Sequence, residues 1–280
     1  MKIGIMLRHY DQHGGGVKVY TENLMRNLLP MASKHEIVLL YRDARLLGTH
    51  NGQEHVREVV VRSPSIFLWD QVAVRWAESR EKLDVLFNPK YSIPLTAGCK
   101  TVYVSHGLYW AALSLPKPWA DYVVHGVLRP RYAKKADAII AVSDTTRRHE
   151  IEYLGAEENR VHTVYLGVDE RFRTGIPPEA LEKVRQAYGL PERYFLYCGQ
   201  IYPPKNFGRL LQAYAQVGPR MGTHLVVAGE HRWLCKGELE LIDRLNISDW
   251  VIRPGWIDRE TLPAFYRLAE ALLLPSLYEA

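Results

Sequence analysis

Cysteine is scarce in this sequence, where only Cys99, Cys198 and Cys235 occur among 280 residues. Their spacing matches no metal-ligand pattern, and an odd, sparse set of thiols makes a poor disulfide framework. Two of the three lie in apolar, strand-like runs, where cysteine packs as a small core residue. We therefore expect a reducing compartment, most simply the cytoplasm.

Long apolar runs are also missing. No stretch approaches the roughly 18 apolar residues of a membrane span. The apolar start Met1–Leu7 gives way at once to Arg8, His9 and Tyr10, so it is too short for a signal peptide. The sequence predicts a protein that is soluble or, at most, attached to a membrane surface.

Several motifs that mark other enzyme classes are absent. There is no Asp-x-Asp, no His-Glu-x-x-His and no cysteine pair at ligand spacing, so neither a metal site nor a metal cofactor is expected. A Gly-x-Ser-x-Gly elbow and a phosphate loop ending in Gly-Lys-Ser/Thr are missing too. The net charge of +5 suits an anionic ligand or membrane, but the basic residues are scattered, so no nucleic-acid partner is expected.

Short β-rich runs alternate with longer helical patterns, and several of these runs are almost wholly apolar, as in parallel strands covered on both faces. Strands are predicted at Ile3–Leu7, Glu36–Tyr41, Val59–Val61, Asp84–Phe87, Thr101–Ser105, Ala138–Val142, Val161–Tyr165, Tyr194–Cys198, His224–Ala228, Trp250–Arg253 and Ala271–Leu274. Helices are predicted at Val17–Pro30, Asp144–Leu154, Phe207–Val217 and Glu260–Ala269. This alternation predicts an α/β fold of right-handed βαβ units in open, doubly wound sheets.

A break at Phe172–Gly189, marked by a glycine and two prolines, divides the pattern into two Rossmann-like domains. The first is predicted over residues 1–172. Residues 173–280 are predicted to be a linker and a second domain. Because the last strand, Ala271–Leu274, is not followed by a covering helix, we expect the second domain to be incomplete.

Three features that follow predicted strands could bind a ligand. The loop His13–Gly16 opens the first helix, where glycines admit a phosphate to free N–H groups; a plain tight turn is the alternative. Lys205 stands directly before a helix that Asn206 can cap, so both would converge on one anion; a solvated surface lysine is the alternative. His106 follows an apolar strand, with a hydrogen-bonded structural histidine as the alternative.

Taken in order, these and other segments resemble glycosyltransferase family 4, a retaining group with the two-domain GT-B architecture. The matching segments are Gly14–Val17 with Tyr20, Asn23 and Leu24, Ser105–Gly107, Ala136–Ser143, Val164–Asp169 with Phe172, Tyr197–Gly199, Lys205–Asn206, Leu225–Gly229, Pro254–Trp256 and Leu274–Ala280. Each segment is weak alone, but together they span nearly the whole chain in the family's order. The resemblance implies two Rossmann-like domains that face a cleft.

The resemblance also implies a reaction. A nucleotide-sugar donor would bind mostly to the second domain and a sugar or lipid-linked acceptor to the first. The sugar would pass to an acceptor hydroxyl with its anomeric configuration retained, in glycan, glycolipid or polysaccharide synthesis, without a metal or other cofactor. The implied catalytic residues are His106 beside the donor sugar, Lys205 on the diphosphate and Glu279 on sugar hydroxyls. The implied donor-binding residues are Gly15, Gly16, Gly199, Gln200, Lys205, Gly229, Gly255, Trp256 and Glu279.

Two positions depart from the family pattern. Gln200 stands where the family often has an arginine, so Lys205 has to supply more of the charge that meets the diphosphate. The family has two closing glutamates, of which only Glu279 is present; the second would lie beyond Ala280.

Two other functions stay open for the same fold. One is a non-catalytic protein that binds a nucleotide or sugar, and the other is an epimerase of nucleotide sugars, which needs acidic groups around the sugar. The basic run Arg129–Lys135 also suggests peripheral contact with the inner face of an anionic membrane. A solvated helix face is the alternative for that run.

The 280-residue chain alone is predicted to have little transferase activity. A further helix would bring N–H groups to the diphosphate and would cover the apolar strand Ala271–Leu274. Donor turnover by this chain should be compared with turnover by a chain extended through the following helices. Equal rates would contradict this expectation.

Overall fold

The computed structural model describes residues 1–11, 15–113, 119–229 and 236–280, which form two compact units, Met1–Leu166 and Gly167–Glu279. The sequence pattern puts the boundary slightly later, after residue 172. Three residues singled out in the sequence, His13, Gly14 and Cys235, lie outside the described residues.

The first unit is built on a sheet of seven parallel strands. These are β1 (Lys2–Met6), β2 (Glu36–Tyr41), β3 (Val56–Val60), β4 (Val85–Asn88), β5 (Lys100–Ser105), β6 (Ala138–Ala141) and β7 (Val161–Thr163). Their order in the sheet is β3-β2-β1-β4-β5-β6-β7, so the direction of winding reverses between β1 and β4. Ligands of open α/β sheets bind beyond the carboxyl ends of the strands at such a reversal.

Helices cover both faces of this sheet. They are α1 (Gly16–Met31), α2 (Ile66–Leu68), α3 (Val74–Glu81), α4 (Tyr109–Ala112), α5 (Trp119–Val123), α6 (Arg129–Lys135) and α7 (Asp144–Leu154). Strand β2 shows why its sequence is apolar throughout. Leu39 packs in the cluster that includes Leu29 of α1, whereas the next residue, Leu40, packs in the cluster of Trp69 on the opposite face.

The second unit has a parallel sheet of four strands, β8 (Tyr194–Cys198), β9 (His224–Ala228), β10 (Val251–Gly255) and β11 (Ala271–Leu272). Its helices are α8 (Pro178–Tyr188), α9 (Phe207–Val217), α10 (Lys236–Arg244) and α11 (Leu262–Leu268). The strand order is β10-β9-β8-β11, which places the reversal between β8 and β11.

The predicted α/β fold with doubly wound parallel sheets is confirmed, and each predicted strand is present, three with the predicted ends and the others with ends shifted by up to a few residues. The predicted cap on α9 is wrong in its chemistry. Asn206 precedes this helix with a left-handed backbone, φ 56°, and its side chain makes no capping bond. Instead, Asn206 Nδ2 donates to the carbonyl of Pro275 at 3.1 Å. Helix α11 begins later than expected because Pro263 suits only the first turn of a helix.

The run Arg129–Lys135, for which membrane contact was predicted with a solvated helix face as the alternative, is only partly exposed. It forms α6, in which Arg129, Tyr132 and Ala133 are buried. The guanidinium of Arg129 lies 3.1 Å from Glu150 Oε1 on α7, and both side chains are almost fully inaccessible. Arg129 therefore belongs to the core of the first unit, whereas Arg131 and Lys134 are exposed. Membrane contact by this run stays a prediction.

We predict that Glu150→Ala lowers the free energy of unfolding by about 3–5 kcal/mol, because it leaves the buried Arg129 charge without its partner. Glu152→Ala, at an exposed position of the same helix, is the control, with an expected change within about 0.5 kcal/mol. Both should be measured by urea unfolding. Equal small losses in the two variants would show that the pair does not support the fold.

Candidate functional site

At the carboxyl edge of the first sheet, a glycine turn leads from β1 into α1. Gly15 has a φ of 101°, a backbone conformation that favours glycine, and its carbonyl accepts from Val19 N in the first turn of the helix. A Cβ built on Gly16 would meet no described atom within 4 Å. The space above the start of α1 is therefore open among the described residues, which leaves its N–H groups accessible to an anion.

His106 lies at the same edge, directly after β5. Its Nε2 is 2.8 Å from the carbonyl oxygen of Pro89, in the loop after β4. Its ring also meets Tyr20 of α1 edge to face, with centroids 4.8 Å apart. Tyr20 thus places His106 beside the first turns of α1, so the structure brings two of the predicted site segments together.

The imidazole of His106 is held neutral. Burial lowers its pKa to about 4, and the positive charges of Lys90 and Arg129 act in the same direction, against the hydrogen bond to Pro89. Because a carbonyl oxygen can only accept, Nε2 carries the proton and donates to Pro89, which makes Nδ1 an acceptor. At neutral pH His106 can therefore accept a hydrogen bond from a hydroxyl but has no acidic proton to give.

A buried network fixes the strand end that carries His106. Glu150 accepts from Ser105 Oγ at 2.5 Å, from Tyr103 Oη at 2.7 Å and from Arg129 at 3.1 Å. The guanidinium of Arg129 also lies 4.6 Å from the ring centroid of Tyr91, in the loop after β4. The network connects Ser105 and the loop that accepts the hydrogen bond of His106 to the buried carboxylate of Glu150.

Three glycines end neighbouring strands of the second unit. Gly199, Gly229 and Gly255 all have positive φ, and Gly229 N donates to the Gly255 carbonyl at 3.1 Å. A Cβ on Gly229 would lie 2.1 Å from the carbonyl oxygen of Gly199. Only glycine permits this close approach of two backbones, and the resulting edge exposes peptide groups without side chains above them.

Lys205 and Glu279 form an ion pair at the reversal point of the second sheet. Lys205 follows β8 and Glu279 follows β11, and these two strands are neighbours across the reversal. Two further bonds hold the segments together, from Leu277 N to the carbonyl of Pro204 at 2.8 Å and from Asn206 to Pro275. A cation and a carboxylate predicted on separate motifs therefore meet where a ligand of such a sheet binds.

Two other predicted donor-site residues belong to the same edge of the second sheet. Gln200 follows Gly199, and its carbonyl accepts from Tyr197 Oη at 3.2 Å. The side chain of Trp256, after Gly255, is 51% exposed. An exposed indole beside open backbone offers a flat surface to an aromatic ligand.

Sequence reasoning missed several polar groups of the first unit. Arg8, two residues after the end of β1, lies 3.3 Å from Asp70, and burial raises the pKa of that carboxyl although Arg8 opposes the shift. Asn88 holds the loop after β4 by accepting from Lys90 N at 3.0 Å. The usable signal was their place at the ends of apolar strands, whereas nothing local marks the pairing of Arg129 with Glu150.

Among the described residues, no three His, Cys, Asp or Glu side chains form a group that could hold a metal ion. The arrangement offers instead fixed cations, backbone N–H groups and one neutral imidazole. Such groups suit an anionic ligand that carries hydroxyls.

Comparison with known proteins identifies the family. The profile of Glycosyltransferase Family 4 matches residues 14–172, and that of Glycosyl transferases group 1 matches residues 181–280. The O-antigen chain mannosyltransferase B of Escherichia coli is 32% identical over 163 residues, which are 54% of this chain and 42% of that protein. The chain thus spans less than half the length of this curated relative.

Solved structures share the fold. HepE of Anabaena in complex with UDP-glucose superposes with a TM-score of 0.72 at 16% identity, over 99% of this chain and 74% of that one. WaaG, a glycosyltransferase involved in lipopolysaccharide biosynthesis, gives 0.71 at 16% identity, over 99% and 75%. The fold is that of GT-B glycosyltransferases, and the chain belongs to glycosyltransferase family 4.

Proposed function

We propose that this protein transfers a sugar from a nucleoside diphosphate sugar to an acceptor hydroxyl, with retention of anomeric configuration. The observation that carries the proposal is the Lys205–Glu279 pair at the reversal point of the second sheet, beside three glycine-ended strands. It supplies a cation for a diphosphate, a carboxylate for sugar hydroxyls and open backbone for close contact. The names of the relatives, a mannosyltransferase and a UDP-glucose complex, support a nucleotide-sugar donor.

In this proposal Lys205 meets the charge of the leaving diphosphate. The transition state of glycosyl transfer places negative charge on the leaving group while the sugar becomes cationic, and fixed positive groups lower that barrier. Glu279 keeps Lys205 oriented before the donor arrives and then accepts from sugar hydroxyls. Gly199, Gln200 and Gly229 would line the diphosphate, and Gly255 and Trp256 would receive the base.

In this proposal the first unit contributes a hydrogen-bond acceptor rather than a general acid. His106 is neutral, and its Nδ1 would accept from a hydroxyl of the donor sugar near the reacting carbon. The N–H groups at Gly15 and Gly16 would add to the binding of the diphosphate. Since these groups and Lys205 meet the leaving-group charge, the proposed reaction calls for no metal ion or other cofactor.

The proposed acceptor is a sugar or a lipid-linked sugar, in glycan, glycolipid or polysaccharide synthesis, and the proposed location is the cytoplasm. The relative named for O-antigen chains supports a polysaccharide acceptor. Cys99 and Cys198 are free thiols, which fits a reducing compartment. A non-catalytic sugar-binding protein and an epimerase are the rival functions, and transfer to an acceptor, or its absence, separates them.

We predict that Lys205→Ala weakens binding of the donor by about tenfold or more, because a charged hydrogen bond to phosphate contributes about 1.5–3 kcal/mol. Uridine and guanosine diphosphate sugars should be titrated calorimetrically into the wild type and the variant. Lys183→Ala, at an exposed position of α8, is the matched control and should bind as the wild type does. If neither class of donor binds the wild type, or if both variants bind equally, the donor site is wrong.

We predict that, in the chain extended through the following helices, His106→Ala lowers turnover of the donor at least tenfold while the Kd of the donor stays within about twofold, since the lost bond acts near the reacting carbon. Because the pKa of His106 is about 4, turnover by the wild type should not change with the titration of His106 near pH 6.5. The pH profiles of the wild type and the variant should therefore have the same shape in that range. Equal losses in turnover and affinity would show that His106 binds the donor equally well in the ground state and in the transition state, and would contradict a role in the reaction step. A change in turnover near pH 6.5 that is present in the wild type and absent in the variant would show that protonation of His106 matters for the reaction.

A further inference from the structure

A buried ion pair at the reversal point of the first sheet leaves two polar atoms without a hydrogen bond. Arg8 follows β1 and Asp70 lies in the helical segment after β3, and their side chains are only 9% and 7% exposed. Arg8 Nη2 lies 3.3 Å from Asp70 Oδ2. Arg8 Nε and Asp70 Oδ1 are buried as well, and neither makes a hydrogen bond to any described residue. Buried polar groups are costly to leave unpaired, so this site favours a ligand that supplies the missing bonds.

The residues on either side of Asp70 are anchored by hydrogen bonds. Asp70 belongs to a π-helical turn between α2 and α3. Trp69 Nε1 donates to the carbonyl of Val61 at 2.7 Å, and Gln71 Nε2 donates to the carbonyl of Ile93 at 3.0 Å. The turn is thus held on both sides of Asp70, and the unbonded oxygen does not result from a loosely packed segment.

The ion pair adjoins the loop that binds His106. Strands β1 and β4 are neighbours, and Arg8 and Lys90 each lie two residues beyond the end of their strand. The carbonyl of Pro89, which precedes Lys90, accepts from His106. Burial dominates the pKa shifts of His106 and Asp70, downward for the imidazole and upward for the carboxyl, and the charge of Lys90 lowers both pKa values. His106 and the ion pair therefore belong to one polar region at the carboxyl edge of this sheet.

The two unbonded atoms differ in what they can bind. Arg8 Nε can only donate a hydrogen bond, and Oδ1 of an ionised Asp70 can only accept one. A hydroxyl group donates and accepts, so one hydroxyl, or two on adjacent carbon atoms, satisfies both atoms. A phosphate would be repelled by Asp70, and an ammonium group by Arg8. The ligand chemistry that fits the pair is that of an uncharged carbohydrate.

We propose that Arg8 and Asp70 bind a hydroxyl of the acceptor sugar other than the one that reacts. An uncharged sugar ring of the acceptor, and not a phosphate, then lies at this pair beside His106. Because the hydroxyl does not react, the pair binds it equally in the ground state and the transition state and selects the acceptor without taking part in the reaction step. Naming this sugar as the acceptor rests on the proposed function, whereas binding of a neutral sugar at the pair does not.

The test begins with an array of immobilised neutral oligosaccharides and of the same sugars carrying one phosphate, probed with the 280-residue chain. A neutral sugar that the wild type binds is then titrated in solution, together with its monodeoxy analogues. Arg8→Gln/Asp70→Asn removes both charges at once, so neither is left buried without a partner. This double variant should bind the sugar at least tenfold more weakly, because hydrogen bonds to two charged groups are lost.

The deoxy analogues identify the hydroxyl that the pair binds. One of them should bind the wild type at least tenfold more weakly than the parent sugar, whereas Arg8→Gln/Asp70→Asn should bind the two equally. Arg8→Lys keeps the charge beside Asp70 but lacks Nε, so it should also bind more weakly, and it serves if the double variant does not fold. The control is Arg57→Gln/Glu81→Gln, which removes an ion pair near the opposite edge of the same sheet and should bind as wild type does.

A kinetic measurement separates sugar binding from support of the fold. In the chain extended through the following helices, with the same sugar as acceptor, the KM of Arg8→Gln/Asp70→Asn for the sugar should rise at least tenfold. Its kcat and its Kd for the donor should stay within about twofold of wild type. A loss confined to kcat, with the KM unchanged, would contradict a role in binding the acceptor.

Three binding results would overturn the inference. Failure of the wild type to bind any neutral sugar would show that the pair is no sugar site. Binding of phosphorylated sugars alone would assign the region to an anion. Equal affinity of the wild type and Arg8→Gln/Asp70→Asn would leave the pair a structural role, with water meeting its unbonded atoms. Sugar binding that depends on the pair, without transfer to that sugar, would support the sugar site and contradict the proposed function, so the two failures are distinguishable.

Discussion

Both sheets of this protein are parallel and, in the first unit, covered by helices on both faces, and this constraint decides where chemistry can occur. The interior of a strand buried on both sides favours apolar side chains, so accessible charged and polar groups concentrate beyond its end. The charged and polar groups of the candidate site accordingly come from segments that follow strands: His106 directly after β5, Lys205 in the loop after β8 and Glu279 in the segment after β11. The fold concentrates them at the carboxyl edge of each sheet.

The core of the first unit contains the charged pair Arg129–Glu150, which positions groups at the carboxyl edge of the sheet. Glu150 is inaccessible, yet it accepts from Ser105, Tyr103 and Arg129. Burying an ion pair costs desolvation that its attraction only partly returns. The cost is offset by its hydrogen bonds, and the result is a fixed strand end and a positive charge that helps to keep His106 neutral. Scaffold and site thus share one electrostatic network.

The sequence predicted the fold well because apolar runs alternating with helical patterns are local signals. Strands β2, β8 and β9 have the predicted ends, since their buried runs are bounded by polar residues or by glycine. Long-range pairing is not readable in this way. Arg129 stands in a basic run that looks solvated, and its partner Glu150 lies 21 residues away on another helix. Asn206 has the residue type and place of a helix cap, but tertiary contact with Pro275 uses its side chain instead.

The geometry of the candidate site was predictable only in part, and its role in donor binding stays a prediction. The positions of the glycines, His106 and Lys205 followed from motif order, whereas the Lys205–Glu279 ion pair required the strand order of the second sheet, which puts β8 next to β11. The central claim is that a donor diphosphate binds at this reversal point. Hydrogen exchange with and without a saturating nucleoside diphosphate sugar tests it most directly. The account predicts slower exchange in residues 199–206, in the amides at 229 and 255–256 and in residues 275–279. Protection confined to other segments, with these unchanged, would contradict it.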